Sequence, residues 1–306
     1  MKVKLFYTTG KNDIHEIVWD KPDPKDDEIE VRSIYTGICS SDVAMFDGTF
    51  TTLPKEIQGH ECLGQVTKIG EYVTSNKGVK VGDYVATRGE PGFADYYNCA
   101  IGNFVVVPKA EPKYIIEPVA CAINIASSVV GSPLNSSIAI IGTGFLARMI
   151  YEYLHHLGYN NFTVYGAGFK DYWSSKKDVD FRTHKAFHLD VVGKWKFDYF
   201  IDMTSSPQYF NSQYVNTNGT FIIGAEKKVE QVDFAKFLWE NITIKCPSPR
   251  DEHFIDCMKT AVELIKTSKI KPKDLWGKEY HRDNALEAFK DRLSGKERLR
   301  SYVTWI

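Results

Sequence analysis

The stretch SIAIIGTGFLARMIYEYLHHLGY, residues 137–159, decides the fold. An apolar strand runs directly into Gly142-x-Gly144-x-x-Ala147, and a segment with helical apolar spacing follows. In a dinucleotide-binding turn the first glycine makes the tight turn, the second lets the backbone approach a pyrophosphate, and the small third residue keeps strand and helix close. The helix N-terminus then faces the phosphates. The pattern predicts cofactor contacts at Gly142, Gly144, Phe145 and Leu146.

The next strand, residues 161–165, bears on the choice of dinucleotide. NAD sites usually carry Asp or Glu at the end of this strand to hold the ribose hydroxyls. Here Gly166-Ala167-Gly168 follows the strand, and Lys170 comes soon after. Without a carboxylate there is no repulsion against a 2′-phosphate, and a lysine attracts it, so Gly166 and Lys170 favour NADP(H) over NAD(H). The alternative is that Lys170 is a solvated lysine and Asp171 holds the ribose.

Downstream, apolar strands alternate with helical stretches, which is typical of a parallel, doubly wound α/β sheet. Residues 196–206 predict a strand that ends in Thr204 and Ser205, and residues 218–225 predict a turn and a strand that ends near Ala225. Thr204 and Ala225 therefore lie near strand C-termini, where such sheets contact the nicotinamide side of the cofactor.

Upstream, residues 36–66 combine a thiol at Cys39 with Gly59, His60 and Glu61. Cysteine, histidine and a carboxylate are ligand types that zinc accepts, and a catalytic zinc takes three protein ligands and one open position. The flanking segments alternate as strands do. A single buried cysteine is more often a small apolar residue, and a single histidine more often a satisfied polar one.

Composition limits the class of protein. The chain has 306 residues, 43% hydrophobic and 25% charged, so two globular domains are expected. A net charge of −1 gives no electrostatic case for nucleic acid or an anionic membrane. The N-terminus lacks a long apolar core, which predicts no signal peptide or membrane anchor. Six widely spaced cysteines are not a disulfide framework, so we expect a cytoplasmic setting.

The assembled motifs resemble one family along nearly the whole chain. Cys-x-x-Asp at residues 39–42, Gly-His-Glu-x-x-Gly at 59–64 and Val-Gly-Asp-Tyr-Val at 81–85 are similar to those of the zinc-dependent medium-chain alcohol and polyol dehydrogenases. The resemblance implies a GroES-like β-rich catalytic domain and a Rossmann domain with the cleft between them. The expected boundaries are 1–122 with 254–306 for the first, and 123–253 for the second.

The resemblance also implies a zinc site. Its ligands would be Cys39, His60 and Glu117, and Glu61 would either enter the coordination shell or stay outside it. Glu117 precedes Pro118 as in the polyol dehydrogenases; the alternative is that it only complements a helix dipole. Ser41 would pass the alcohol proton outward or cap a loop or helix. Asp42 would orient His60 or cap the short helix that follows.

A second, structural zinc is not expected. Many members of the family hold it with four closely spaced cysteines, whereas the corresponding stretch here, ATRGEPGFADYYNCAIGNF, contains only Cys99. The chain therefore resembles a compact variant whose substrate pocket differs where that lobe would lie. We expect one catalytic zinc.

The implied reaction is hydride transfer between NAD(P)(H) and an alcohol, a polyol or its carbonyl compound. One alternative is a ribulose-5-phosphate-type sugar phosphate reductase, for which Arg88 is a candidate phosphate contact. Another is a zinc-free, quinone-reductase-like enzyme or a catalytically silent nucleotide-binding relative. Family members are commonly dimers or tetramers, often joined through an edge strand of the Rossmann sheet, so a homo-oligomer is expected.

Overall fold

The computed structural model describes residues 1–8, 10–49, 59–76, 78–89, 91–192, 195–226, 231–297 and 299–306. Its strands are β1 (Lys2–Tyr7), β2 (His15–Asp20), β3 (Glu28–Gly37), β4 (Glu61–Ile69), β5 (Tyr84–Arg88), β6 (Tyr96–Ala100), β7 (Phe104–Val107), β8 (Ile138–Ile141), β9 (Phe162–Tyr165), β10 (Val179–Arg182), β11 (Phe197–Asp202), β12 (Val215–Ile223), β13 (Thr243–Lys245), β14 (Trp276–His281) and β15 (Arg300–Thr304). Its α-helices are α1 (Ser40–Asp47), α2 (Glu71–Asn76), α3 (Glu117–Ser127), α4 (Phe145–His156), α5 (Lys170–Ser174), α6 (His184–Val192), α7 (Phe234–Trp239), α8 (Phe254–Lys266) and α9 (Ala285–Leu293).

These elements form two compact units. Unit 1 is Met1–Ala120 with Glu252–Ile306, and unit 2 is Cys121–Asp251. The first boundary lies within α3, so this helix belongs to both units. No described helix is both long enough and apolar enough to cross a membrane.

Unit 1 is built on a seven-stranded sheet among the described residues. Its order is β14-β15-β3-β4-β5-β7, and β6 pairs with one end of β3. The long strand β3 pairs antiparallel with β4, β6 and β15, so it joins the first and last parts of the chain. The pairing of β3 with β4 ends with Gly37 opposite Glu61, which brings the loop after β3 next to the start of β4.

Aromatic packing fixes helix α1 against this sheet. The ring of Phe46 on α1 lies 5.3 Å from that of Phe289 on α9, and Phe93 packs on the same ring at 5.6 Å. All three side chains are buried within one cluster with Phe6 and Trp305. Gly48, with φ of +82°, ends α1 in the left-handed conformation that glycine adopts without strain. The N-terminus of α1 is thereby held beside the start of β4.

Unit 2 is a parallel six-stranded sheet among the described residues, in the order β10-β9-β8-β11-β12-β13. Numbered within the unit, this is the order 3-2-1-4-5-6 of a dinucleotide-binding sheet, and it reverses between β8 and β11. Every residue of β8 is buried, as expected for a strand covered on both faces. The predicted fold class, a β-rich domain and a doubly wound parallel sheet, is confirmed.

Two details of unit 2 differ from the sequence pattern. Strand β11 ends at Asp202 rather than at Thr204. Oδ1 of Asp202 accepts hydrogen bonds from the amide and the hydroxyl of Thr204, and these bonds turn the chain. The connection from β11 to β12 contains two short 3-10 turns, Pro207–Tyr209 and Ser212–Tyr214, where a doubly wound fold usually has an α-helix. The aromatic core beneath includes Phe200, Phe221 and Phe237.

Candidate functional site

Cys39 stands at the junction of β3 and α1. It is the N-cap residue of α1 and has an extended backbone, and its side chain is partly exposed. Gly37, two residues earlier, must be a glycine because a Cβ there would overlap the Glu61 carboxylate and come 3.1 Å from the indole of Trp276. The missing side chain lets β3 approach Glu61 closely. Local geometry therefore directs Cys39 towards the start of β4.

Asp42 connects the two ends of this site. Its carboxylate is fully buried; one oxygen accepts a hydrogen bond from the Cys39 amide at 2.8 Å, and the other accepts from the Gly59 amide at 3.3 Å. The same oxygen lies 3.5 Å from Nδ1 of His60. As the third residue of α1, Asp42 completes a helix N-cap and also contacts the histidine. One side chain therefore contacts both the helix N-terminus and the histidine.

His60 follows a glycine with an unusual backbone conformation. Gly59 has φ of +92°, and a Cβ there would come 2.7 Å from Phe93, so only glycine fits. Burial lowers the pKa of His60, but the Asp42 carboxylate and the Cys39 thiol raise it by more, and the pKa lies well above its usual value. A metal ligand must be a neutral imidazole, so binding a metal here releases a proton.

Three potential ligand groups converge in unit 1. One atom each of Cys39, His60 and Glu61 lies within 4.8 Å of the others. Ligand atoms on one zinc, at about 2.0–2.3 Å from the ion, are separated by about 3–4 Å in a tetrahedron. Small side-chain shifts therefore suffice to bring this group to the spacing of a zinc site. A thiol, an imidazole and a carboxylate suit zinc chemically.

Glu61 is already paired. Its carboxylate is fully buried and accepts hydrogen bonds from Nε and Nη2 of Arg300, the former at 2.8 Å. Burial lowers the pKa of Arg300, but the charges of Glu61, Cys39 and Glu117 and the hydrogen bond to Glu61 together raise it by more, and the pKa lies above its ordinary value. Sequence reasoning missed Arg300; the available signal was an arginine in the otherwise uncharged closing strand RSYVT. This pair fixes the orientation of the Glu61 carboxylate and uses one lone pair of each of its oxygens.

The remaining predicted residues of unit 1 occupy separate positions. Glu117 is the buried first residue of α3 and lies outside the three-residue ligand group, although its charge acts on Arg300. Ser41 is the half-buried second residue of α1. Arg88 donates two hydrogen bonds to Asn103, and its guanidinium lies 5.1 Å from the ring centre of Phe254.

In unit 2 the turn after β8 has the shape predicted for a phosphate cradle. Gly142 has φ of +115°, and its amide donates to the carbonyl of Tyr165 at 2.9 Å. Gly144 caps α4 in an extended conformation, is exposed, and would have nothing within 4 Å of an added Cβ. Open space therefore lies over the N-terminus of a twelve-residue helix, where a pyrophosphate fits. Phe145 is buried and Leu146 is half-buried in its first turn.

The end of β9 carries the other predicted cofactor residues. Gly166 is buried directly after β9, and Lys170 is the exposed first residue of α5. Thr204 and Ala225 follow β11 and β12, at the same carboxyl edge of the sheet. The structure thus places all these residues at the strand ends of unit 2. Asp202, which the sequence analysis did not single out, is fully buried at that edge and shapes the turn to Thr204.

One known protein family matches a segment of unit 1. Residues 25–112 match the family described as the alcohol dehydrogenase GroES-like domain. This segment contains Cys39, Asp42, His60 and Glu61.

Two curated relatives are polyol-type dehydrogenases. The chain is 44% identical over 111 residues to the probable D-xylulose reductase A of Emericella nidulans, covering 31% of this chain and 30% of the relative. It is 26% identical over 171 residues to the D-arabitol-phosphate dehydrogenase of Enterococcus avium, covering 45% and 47%. The chain thus aligns with less than half the length of each of these relatives.

Solved structures share the whole fold. A thermostable alcohol dehydrogenase from Pyrobaculum aerophilum superposes with a TM-score of 0.82 at 17% identity, covering 100% of both chains. A protein described as a zinc-binding dehydrogenase from Sinorhizobium meliloti, solved with NADP, superposes with a TM-score of 0.79 at 17% identity, again over 100% of both chains. At these identities the likeness concerns the fold.

Proposed function

Because the chain belongs to the medium-chain dehydrogenase family, we propose that it is an oxidoreductase exchanging a hydride between a nicotinamide dinucleotide and an alcohol, a polyol or the matching carbonyl compound. The observation that carries this proposal is the convergence of Cys39, His60 and Glu61 within 4.8 Å. Unit 1 would correspond to the catalytic domain, residues 1–122 with 254–306, and unit 2 to the nucleotide-binding domain, residues 123–253.

We assign one zinc to Cys39 and His60 of this cluster, with Glu117, the buried first residue of α3, as the third ligand. Bound there, zinc supplies a Lewis acid for the substrate oxygen. We place Glu61 outside the coordination shell, as the partner of Arg300, which donates a hydrogen bond to each of its oxygens. The buried ion pair then holds Glu61 beside the ligands and keeps it from displacing substrate.

The chain's own residues orient the site. Asp42 faces Nδ1 of His60, so that nitrogen carries the proton and Nε2 offers its lone pair to a metal. The hydrogen bonds of Asp42 to the amides of Cys39 and Gly59 fix the backbones on which both ligands stand. Ser41, half-buried one residue before Asp42, would accept the alcohol proton and pass it outward.

Unit 2 would bind the dinucleotide across the turn that contains Gly142 and Gly144, with Phe145 and Leu146 following and Thr204 and Ala225 on the nicotinamide side. The bound nicotinamide accepts or donates the hydride. NADP(H) is favoured over NAD(H) because Gly166 supplies no carboxylate after β9 and Lys170 adds a positive charge nearby.

The substrate class is a polyol or amino alcohol, and a sugar phosphate is the second candidate. The second is favoured by the name of one relative, a D-arabitol-phosphate dehydrogenase. Arg88 is a weak phosphate contact because Asn103 already takes two of its donors. A zinc-free or catalytically silent relative is disfavoured because two of the proposed ligands, Cys39 and His60, lie together.

An absorbance assay at 340 nm tests the proposed activity. The zinc-loaded full chain is mixed with NADP⁺ or NAD⁺ and a panel of polyols and polyol phosphates, and with NADPH or NADH and the matching ketoses. We expect turnover with at least one member of the panel, and loss of that turnover in Cys39→Ser but not in Cys246→Ser, whose thiol is exposed and lies in unit 2. Equal turnover in the wild type and Cys39→Ser would refute the role of the cluster.

An exposed apolar surface on unit 2 suits a homo-oligomer, either a dimer or a tetramer. Phe234, Leu238 and Trp239 on α7 are 62%, 76% and 83% exposed, which is unusual for large apolar side chains on one short helix. The helix precedes β13, an edge strand of the described sheet. A second copy of the chain would cover this face, and sedimentation velocity of the purified chain measures the oligomeric state.

A cytoplasmic setting is supported by six free thiols.

A further inference from the structure

Thr143, between the two glycines of the β8–α4 turn, packs against the loop that follows β9. A Cβ added to Gly166 would overlap Cγ2 of Thr143, come 3.0 Å from its Oγ1 and 3.2 Å from its Cβ. A Cβ added to Gly168 would come 3.2 Å from the same hydroxyl. The Thr143 side chain therefore fills the space that a side chain at residue 166 would need.

The backbone of Gly166 does not itself require glycine. Its φ is not in the left-handed region, unlike that of Gly142 at +115°. A negative φ is open to residues other than glycine, and the three atoms nearest to the added Cβ all belong to Thr143, so Thr143 is the nearest obstacle to a side chain here. Threonine is branched at Cβ and stiff, so rotation about its side chain cannot remove both branches from the contact.

Thr143 is itself held in place. Its carbonyl accepts a hydrogen bond from the indole of Trp173 at 3.3 Å, and Trp173 is fully buried on α5. Position 165 cannot present a side chain to the turn in place of position 166. Tyr165 is buried, and its hydroxyl donates a hydrogen bond to Asp190 at 3.0 Å. Residue 166 is thus the position at this strand end that faces the turn.

We propose that Thr143 keeps an acidic side chain out of position 166 and thereby sets the preference for a dinucleotide with a 2′-phosphate. The proposal rests on the dinucleotide site of the proposed function. Where a carboxylate would bind the two ribose hydroxyls, this chain offers a neutral hydroxyl and, four residues later, Lys170. Lys170 is the exposed first residue of α5, and Asp171 is its neighbour in sequence.

A four-variant cycle tests this coupling on the full-length chain: wild type, Thr143→Ala, Gly166→Asp and the double variant. Dissociation constants for NADPH and NADH are measured from nicotinamide fluorescence, and folding from the thermal midpoint. We expect the wild type to bind NADPH more tightly than NADH by about tenfold or more. Gly166→Asp alone should lower the thermal midpoint and weaken both nucleotides. The double variant should regain the midpoint and prefer NADH.

The control replaces Thr143 by valine, which keeps the crowding and removes the hydroxyl. Thr143→Val with Gly166→Asp should remain as unstable as Gly166→Asp alone. The proposal is overturned if Gly166→Asp alone keeps the wild-type midpoint and already prefers NADH. It is also overturned if the wild type binds both nucleotides equally, although the dinucleotide site would then stand. Binding of neither nucleotide by the wild type would refute the dinucleotide site as well.

Discussion

Replacing Arg300 by glutamine is expected to lower the free energy of unfolding by about 3–5 kcal/mol, because the change leaves the Glu61 carboxylate buried without its cation. Glu61 is 0% and Arg300 is 9% exposed, so water cannot replace the lost partner. Urea unfolding of the metal-free protein, followed by tryptophan fluorescence, measures the effect without any contribution from bound zinc.

Two comparisons make this result specific to the buried pair. The double variant Glu61→Gln, Arg300→Gln carries neither charge and should recover much of the loss, because the destabilisation arises from one unpaired charge. Arg282→Gln removes a more exposed pair with Glu16 in the same unit and should cost about 0–1 kcal/mol. A loss below about 1 kcal/mol for Arg300→Gln would show that Glu61 does not depend on Arg300.

Replacing Ser41 by alanine is expected to lower kcat by about 10²–10⁴-fold with little change in KM, because the hydroxyl is proposed to carry the alcohol proton and not to bind substrate. Steady-state rates over a range of substrate concentrations separate the two constants. Ser41→Thr keeps a hydroxyl and should retain most of the activity.

Ser40→Ala is the matched control for Ser41, since Ser40 is the exposed first residue of the same helix. It should leave kcat within about twofold, as surface substitutions away from special features usually do. If Ser41→Ala were as active as Ser40→Ala, the proton would leave by another route and Ser41 would only belong to the helix N-terminus.

The parts of this protein that could be predicted from sequence are those encoded by neighbouring residues. The turn from Gly142 to Ala147 specifies its own shape, since the glycine conformations and the helix start are local properties. The alternation of strands and helices around it specified a parallel sheet. Asp42, three residues after Cys39, belongs to a helix N-cap that short-range spacing also indicates.

Contacts between distant parts of the chain could not be predicted in the same way. Arg300 meets Glu61 across 239 residues, and no spacing rule connects the two. The contact between Thr143 and Gly166 depends on β8 and β9 lying side by side with Ile141 opposite Tyr165. The absent carboxylate after β9 was visible in the sequence, but the position of the Thr143 side chain, in the space that a side chain at residue 166 would need, became apparent only from the packing of the two loops.

The zinc content of the purified 306-residue chain, produced in zinc-sufficient medium and then dialysed, tests the central claim most directly. Elemental analysis should find about one zinc per chain in the wild type and in Cys246→Ser. In Cys39→Ser we expect a large loss of zinc and a circular dichroism spectrum that still shows a folded chain. A folded wild-type chain without zinc, or a zinc content unchanged in Cys39→Ser, would contradict a metal centre at Cys39 and His60. About two zinc ions per chain would contradict a single site.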